Sequence, residues 1–362
     1  MKHLNKITAA VLLVFIAFFS FSTLMEMKSA GFMEITWQNF IDGSFINQLN
    51  TFAADYFKAR NILISAETRI ESAIGESLVN GVYISESRLL AADVSSRGNT
   101  DNSADVLNEF AEKYEGAVYL VSVPTSSGVY EDMLPSYLLG KTEKQQIDSL
   151  YEKLDSGIRK IDAYNILKML SDNYIYYRSD TKWTSYGAFC VYRTVIQKLG
   201  FMPLSYDKYT IQHVTDRYRG NLYSETQYME SSGDLLDIYE YDGGAEIKSC
   251  IGYDNNGISF HCSLYDKEAM ESGDMYRLYL GKKYPLVKIS TDVNNDKKLL
   301  VVGDDFASCF IPFLTQHYSE IAFVSPECME KNLRRFLNPN DYGQTLFLLG
   351  IDSLSSNILE NF

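Results

Sequence analysis

Two short segments of this 362-residue chain combine charged side chains with a predicted helix start, and they are the candidate functional segments. The first contains Asp180, Lys182 and Trp183, followed by Thr184, a residue type that often caps a helix. Apolar residues then recur every three or four positions up to Leu199, which predicts an amphipathic helix. This segment therefore places a carboxylate, an ammonium group and an indole directly before a helix.

The second segment begins with four apolar residues, Leu299–Val302, which predict a buried strand. Gly303 supplies a turn, and Asp304 and Asp305 then precede Phe306 at the start of another predicted helix. Parallel sheets hold ligands at the carboxyl ends of their strands, and the free N–H groups of a helix start stabilise anions. The two segments together therefore predict a polar site at one edge of a sheet.

The elements that position these segments follow an α/β pattern from residue 101 to residue 362. Strands that are apolar along their whole length belong to a parallel sheet with helices on both faces. Residues 205–290 are rich in Tyr, Gly and Asp and are interpreted as a mixed insertion. The predicted helices span residues 104–115 and 142–155, and the predicted strands span 118–123, 299–302, 321–324 and 346–349.

The first hundred residues contain an export segment. Lys2 and Lys6 precede residues 7–25, which carry no charge and are long enough to cross a bilayer. We interpret residues 1–25 as a signal anchor, with a cleaved signal peptide as the alternative. The main domain is then expected outside the cytoplasm, on a single-pass protein of the cell membrane or, alternatively, on a secreted protein. Residues 26–100 predict a helical segment and a hairpin.

Composition excludes one class of partner. The chain carries 33 basic and 47 acidic side chains and a formal net charge of −14, which argues against binding to nucleic acid. Its 46% content of hydrophobic residues is typical of a globular protein with a sizeable core.

One pair of the five cysteines has a spacing that permits a disulfide bond. Residues 246–262 are predicted to form two short strands around the turn Asp254–Gly257. If an odd-numbered loop is centred on Asn256, Cys250 and Cys262 lie directly opposite each other. A register shift of one residue separates them, so the sequence leaves both a disulfide and free thiols open.

The two candidate segments resemble the DHHW proteins, which are similar to the SGNH-like proteins of alginate O-acetylation. The resemblance begins with Asp180–Ala188 and the Asp304–Phe306 turn, and it extends over residues 33–350. Its further motifs, in chain order, are Asn80–Ile84, Val123–Ser126, Arg219–Tyr223 and Phe310–Leu314 with His317, Tyr318 and Ile321. It implies a three-layer SGNH-like fold with a parallel sheet flanked by helices. In the catalytic relatives it implies a Ser-His-Asp site that transfers or removes acetyl groups on polysaccharide hydroxyls.

This chain departs from the family pattern at two of the three catalytic positions. Asp180 matches the aspartate, but Lys182 stands at the histidine position and Asp305 at the serine position. Acyl transfer by such a triad needs a hydroxyl nucleophile and a base that titrates near neutral pH. At pH 7 an ordinary lysine and aspartate are an ammonium group and a carboxylate. We therefore predict that Lys182 and Asp305 form an ion pair in the former catalytic cleft.

Three functional hypotheses follow. The first is a catalytically degenerate envelope protein that binds a glycan or a partner, such as a membrane acyltransferase, during polysaccharide modification. The second is an active polysaccharide O-acetyltransferase or acetylesterase with an atypical Asp/Lys site, and the third is a structural protein with a vestigial cleft. Whether the chain is an enzyme therefore stays open at this stage.

The candidate site residues have alternative roles. Asp180, Lys182 and Asp305 occupy the catalytic family positions. Trp183 could stack on a sugar or pack in the core, and one of the histidines could act as a base. A hard cation held by the aspartates is disfavoured because Lys182 would repel it, and no metal or other cofactor is predicted. The predicted binding residues are Tyr177, Arg178, Trp183 and Asp304.

Overall fold

The computed structural model describes residues 60–73, 75, 77–92, 99–228, 233–356 and 358–360. The chain divides into two compact units, of which the first comprises Met1–Ser77 and Ser224–Tyr228. In its described part, buried Thr68 on helix α1 (Arg60–Ala73) donates a hydrogen bond to the Thr226 carbonyl at 2.7 Å. The predicted anchor at residues 7–25 lies outside the described residues, and no helix within the described ranges is long and apolar enough to cross a membrane.

The second unit, Leu78–Tyr223 with Met229–Phe362, contains the candidate segments. Its helices, together with α7, which extends into the first unit, are α2 (Asp101–Lys113), α3 (Ser126–Val129), α4 (Glu143–Lys153), α5 (Ala163–Met169), α6 (Ser185–Lys198), α7 (Asn221–Thr226), α8 (Asp305–Leu314) and α9 (Ile351–Ser355). Its strands are β1 (Leu78–Val79), β2 (Val82–Ile84), β3 (Leu89–Ala91), β4 (Ala117–Val123), β5 (Ile158–Ile161), β6 (Tyr209–Tyr218), β7 (Asp234–Tyr241), β8 (Ile247–Tyr253), β9 (Ser259–His261), β10 (Leu286–Thr291), β11 (Lys298–Gly303), β12 (Glu320–Val324) and β13 (Gln344–Gly350).

Eight of these strands form the main sheet, in the order β5-β4-β13-β11-β12-β10-β8-β9. The first five strands in this order are parallel, so β4, β11 and β13 end at the same edge. The remaining three pair antiparallel with their neighbours. The predicted strands of the parallel part are confirmed because each is a run of buried apolar residues.

The main sheet is mixed, whereas the sequence predicted a parallel sheet with a mixed insertion at residues 205–290. β8 and β9 lie within that range and extend the sheet, and β10 begins there, so the sheet is mixed. Alternating burial along β8 gives it one face to pack against the core, which a self-contained insertion would not need. Only β6 and β7 form a separate two-stranded ribbon within the described part of the insertion.

The sheet divides the core into two layers, as the three-layer fold requires. Alternate residues of β4 point to opposite faces: Tyr119 and Val121 join one apolar cluster, whereas Val118 and Leu120 join the other. Helices α6 and α8 pack on the first face. Helices α2, α4 and α9 contribute buried residues to the second. Both candidate segments are therefore held by the α6/α8 layer.

The predicted hairpin before residue 92 is confirmed as part of a small antiparallel sheet, β1-β2-β3. Asn80 and Gly81 both have positive φ, 48° and 75°, which is the geometry of a tight hairpin turn between β1 and β2. The Leu89 N–H donates to the Arg178 carbonyl at 2.8 Å. The hairpin thereby fixes the backbone just before Asp180.

Candidate functional site

Asp305 is the first residue of α8, two residues after the end of β11, and its carboxylate lies between two lysines. Lys283 Nζ lies 2.7 Å from Oδ1, and Lys182 Nζ lies 3.8 Å from Oδ2. The predicted contact between Lys182 and Asp305 is present, but Lys283 is the nearer partner. Lys283 also contacts Glu327, with 2.7 Å between Nζ and Oε1. The position expected to hold a nucleophile is therefore occupied by a carboxylate bound to two ammonium groups.

Asp180 anchors the other end of this arrangement. Its side chain is fully buried, and Lys182 Nζ lies 3.3 Å from one carboxylate oxygen and 3.4 Å from the other. The backbone N–H of Lys182 and the hydroxyl of Tyr218 donate to the same carboxylate. A Cβ at Gly220 would lie 2.3 Å from Asp180 Cβ, so only glycine allows the chain to pass this close.

Asp180, Lys182, Asp305, Lys283 and Glu327 thus form one ion-pair network with alternating charges. Burial lowers the pKa of Lys182, but Asp180 and Asp305 outweigh it and the pKa is raised overall. Burial also lowers the pKa of Lys283, but the charges of Asp305 and Glu327 outweigh it and the pKa is raised overall. Both lysines are therefore ammonium groups at neutral pH and donate protons to hydrogen bonds rather than accept them.

Asp304 precedes this network by one residue but has a different environment. Its carboxylate accepts from Phe306 N at 3.0 Å, Gly350 N at 2.8 Å and Ser353 Oγ at 2.6 Å. Burial and the nearby charge of Asp352 raise its pKa to about 7 despite these hydrogen bonds. Asp304 caps α8 and ties it to the end of β13 and to α9. Its predicted binding role is replaced by a structural one, since its acceptor oxygens are already bound to protein donors.

Trp183 and Tyr177 are among the predicted binding residues, with core packing as the other role considered for Trp183, and the structure buries both. Trp183 is fully buried, donates from Nε1 to the Phe306 carbonyl at 3.2 Å and stacks on Phe310. Tyr177 is also fully buried, and its hydroxyl lies 3.3 Å from that of Tyr279. Neither ring presents a face to solvent. Sequence alone could not separate an aromatic residue beside a cleft from one beneath it, and both belong to the core.

Arg178 is the one exposed member of the predicted binding set. Its backbone N–H donates to Asp234 at 2.9 Å, and its guanidinium lies over the ring of Tyr174 at 5.4 Å. No described contact joins its side chain to the ion-pair network.

The histidines of the described residues lie away from the network. His317, at the far end of α8, is buried, contacts the Tyr192 hydroxyl at 2.7 Å and has a pKa lowered by burial to about 4. His213 contacts Asp237 at 2.6 Å on the β6–β7 ribbon, and His261 is exposed on edge strand β9. None of them is placed to act as a base on a group at Asp305. Ammonium groups also occupy the spaces between the carboxylates, where a cation would have to sit.

Sequence reasoning missed Lys283, Glu327 and Tyr276, whose ring lies 5.1 Å from Lys182 Nζ. Lys283 and Tyr276 come from the irregular segment between β9 and β10, which has no periodicity to predict its path. The one available signal was the basic pair Lys282-Lys283 after Gly281 in an otherwise acidic chain.

The chain is thus a three-layer α/β protein with charged groups at the carboxyl ends of its parallel strands. The DHHW protein family model matches residues 71–324, and the chain belongs to the DHHW family. The resemblance seen in the motifs is thereby confirmed. A comparison with curated proteins gave no significant match.

Two solved structures with TM-scores above 0.5 show the same fold. A DHHW family protein from Eubacterium siraeum is 22% identical with a TM-score of 0.67, covering 78% of this chain and 96% of its own. Bacillus cereus PatB1 is 18% identical with a TM-score of 0.66, covering 78% of this chain and 99% of its own, and it is also known with a sulfonyl adduct. The O-acetyltransferase domain of Pseudomonas putida AlgJ is 11% identical with a TM-score of 0.45, covering 76% of this chain and 93% of its own.

Proposed function

We propose that this DHHW protein does not catalyse acyl transfer and acts by binding in the modification of a cell-envelope polysaccharide. Its ligand would be the polysaccharide itself or a partner enzyme such as a membrane acyltransferase. The observation that carries the proposal is the state of Asp305, whose carboxylate is paired with Lys182 and Lys283. The link to polysaccharide O-acetylation comes from the DHHW family.

The chemistry of the ion-pair network supports a non-catalytic site. Acyl transfer requires a nucleophile and a base that removes its proton. A carboxylate held by two ammonium groups is a weak nucleophile toward an ester, and the raised pKa of Lys182 keeps it protonated at neutral pH. Ser308 lies one turn further along α8, but no described histidine lies near it to activate its hydroxyl.

The space around the network supports the same conclusion. The cavity lined by Asp305, Lys283, Tyr276 and Ser308 has a volume of about 20 Å³, which is enough for about one water molecule. A cavity of this size has no room for a sugar ring beside Lys283. We therefore infer that a bound polymer lies across the rim of the cleft, outside the network.

The predicted segment at residues 7–25 supports a location at the outer face of the cell membrane. A domain held there would meet newly exported polysaccharide and any membrane enzyme that modifies it. This location is part of the proposal.

An esterase assay tests the loss of catalysis. We expect wild-type protein to hydrolyse p-nitrophenyl acetate and acetylated xylan no faster than buffer does. Asp148→Asn, which changes a carboxylate on the exposed face of α4, serves as the matched control for Asp305→Asn. Wild-type turnover that disappears in Asp305→Asn but persists in Asp148→Asn would overturn the proposal in favour of an active Asp/Lys site.

A glycan array with the same three proteins tests binding. We expect wild type and both variants to bind the same envelope polysaccharides, because the network does not contact the polymer. Failure of all three to bind any glycan would favour the partner enzyme as the ligand. Co-purification with a membrane acyltransferase would then be the corresponding measurement.

A further inference from the structure

The hairpin formed by β8 and β9 brings two cysteines together at the edge of the main sheet. The register pairs Ile251 with His261 and Gly252 with Phe260, which places Cys250 directly opposite Cys262. The Cys262 N–H donates to the Cys250 carbonyl at 3.0 Å, so the pairing extends to the two cysteines themselves. The structure therefore decides the register that the sequence left open.

The geometry of this pair is that of two thiols ready to be joined. Their sulfur atoms are 2.7 Å apart and are not bonded in the structure. Directly opposite residues on antiparallel strands have a Cα separation within the range that disulfides span. Both side chains are buried, with 3% of Cys250 and 7% of Cys262 exposed. No backbone movement is required to form the bond.

We propose that Cys250 and Cys262 are a dithiol–disulfide site that is oxidised by a disulfide compound or protein outside the cytoplasm. The Cys262 thiolate attacks one sulfur of the oxidant and displaces the other as a thiolate, which gives a mixed disulfide. Cys250 then loses its proton and attacks the Cys262 sulfur, which releases the second thiolate of the oxidant. The two cysteines together lose two electrons and two protons, and the oxidant gains them as a dithiol.

The surroundings give the two thiols different roles. Cys262 directly follows exposed edge strand β9 and is the more exposed of the two, so it is the thiol that an oxidant meets first, whereas Cys250 lies on the inner strand β8. Strand β9 is the last in the sheet and all three of its residues are exposed, so an oxidant reaches the pair from that side. The remaining cysteines are Cys190, Cys309 and Cys328.

The bond would also brace one wall of the cleft. After Cys262 the chain pairs with the segment that leads to Lys283: the Leu280 N–H donates to the Leu264 carbonyl at 3.1 Å, and the Asp266 N–H donates to the Leu278 carbonyl at 2.7 Å. A disulfide at Cys250 and Cys262 therefore restrains the base of the segment that carries Lys283. This inference rests on the proposed location outside the cytoplasm, but its cross-linking test is separate from the esterase and glycan assays, so either can fail without the other.

Mass spectrometry of the full-length protein tests the proposal. The protein is equilibrated with oxidised and reduced glutathione, the remaining thiols are alkylated, and the peptides are mapped without reduction. We expect a cross-linked peptide containing Cys250 and Cys262 and alkylation of the other three cysteines. Complete alkylation of all five under oxidising conditions, or a cross-link between other cysteines, would overturn it.

Thermal unfolding gives a second readout. Reduction of wild type should lower Tm by about 5 °C, since the bond closes a short loop of the unfolded chain. Cys250→Ser, Cys262→Ser and the double variant should each lose this redox-dependent shift, whereas Cys190→Ser should keep it. A redox-dependent shift in Tm that persists in Cys262→Ser would contradict the assignment, whatever the yield of the cross-linked peptide.

Discussion

Asp304 and Asp305 are adjacent, yet they belong to two regions of the cleft that surround a carboxyl group in different ways. In the capping region, Asp304 is surrounded by uncharged donors and its pKa is raised to about 7. In the ion-pair network, Asp305 lies between Lys182 and Lys283. The first arrangement fixes the backbone and the second balances charge.

The largest expected effect comes from breaking the capping region. Asp304→Ala removes the acceptor of two buried donors, Phe306 N and Gly350 N, and of the part-buried Ser353 Oγ. Losing the cap and leaving buried donors unpaired should lower the free energy of unfolding by about 4 kcal/mol. Urea denaturation followed by tryptophan fluorescence measures it, because Trp183 packs against α8.

A substitution at a second helix cap separates the contribution of capping itself from that of the additional hydrogen bonds of Asp304. Asp162 also caps a helix, α5, but accepts from Asn165 N at an exposed position. Asp162→Ala should cost only about 1 kcal/mol. Equal losses in the two variants would show that the additional hydrogen bonds of Asp304 contribute nothing.

The next largest effect comes from opening the ion-pair network at Lys182. Lys182→Met leaves the fully buried Asp180 carboxylate without its counter-charge, which should cost about 3 kcal/mol. Lys283→Met is the control, since Lys283 is more exposed and Asp305 keeps Lys182 nearby. We expect Lys283→Met to cost about 1 kcal/mol, again by urea denaturation.

A double-mutant cycle measures how strongly Lys182 depends on Asp305. Because Asp180 is the nearer partner of Lys182, Lys182→Met with Asp305→Leu should recover only about 1 kcal/mol of the loss. Full recovery would show instead that the contribution of Lys182 to stability comes entirely from its pair with Asp305.

A pH dependence also distinguishes the two regions. The folded-state pKa of Asp304 is raised, so between pH 4 and 7 the folded protein binds a proton that the unfolded chain has lost. Stability from this group therefore falls as pH rises, by at most about 1.4 kcal/mol per pH unit. Lys182 and Lys283 also have raised pKa values, but their contribution is lost only above pH 10.5.

Comparison of wild type with Asp304→Asn isolates the effect between pH 4 and 7, where Asp304 titrates. His317 titrates in part of the same range with the opposite sign, because its folded-state pKa is lowered to about 4, and it cancels when the two proteins are subtracted. The difference in unfolding free energy should change steadily from pH 4 to pH 7. A flat difference would show that Asp304 ionises as it does in the unfolded chain.

Much of the fold could be predicted because apolar runs and helical spacing are local signals. The strands ending at Val123 and Gly303, the helix capped by Thr184 and the turn at Asn80-Gly81 all follow from neighbouring residues. The antiparallel strands β8 and β10 were not placed in the sheet. Which strands pair depends on packing between residues far apart in the chain, and no local pattern encodes it.

The candidate site divides in the same way. The meeting of Lys182 and Asp305 could be predicted because a charge change at one position was matched by the opposite change at another. Lys283 and Glu327 could not be predicted, since both lie in irregular segments whose paths are set by the sheet they cross. Whether Trp183 faces solvent or core was equally a matter of three-dimensional packing.

The sequence by itself determined the chemical types at the cleft: a carboxylate at residue 305 and an ammonium group at residue 182, in place of a hydroxyl and an imidazole. Only the tertiary structure decided their partners, since Coulomb attraction and hydrogen bonding act over a few ångströms of space and not along the chain. The two cysteines follow the same rule. A shift of one residue in strand register would move the thiols of Cys250 and Cys262 out of contact, and only the tertiary structure decides the register. Residue types limit the available chemistry, and folding selects the groups that meet.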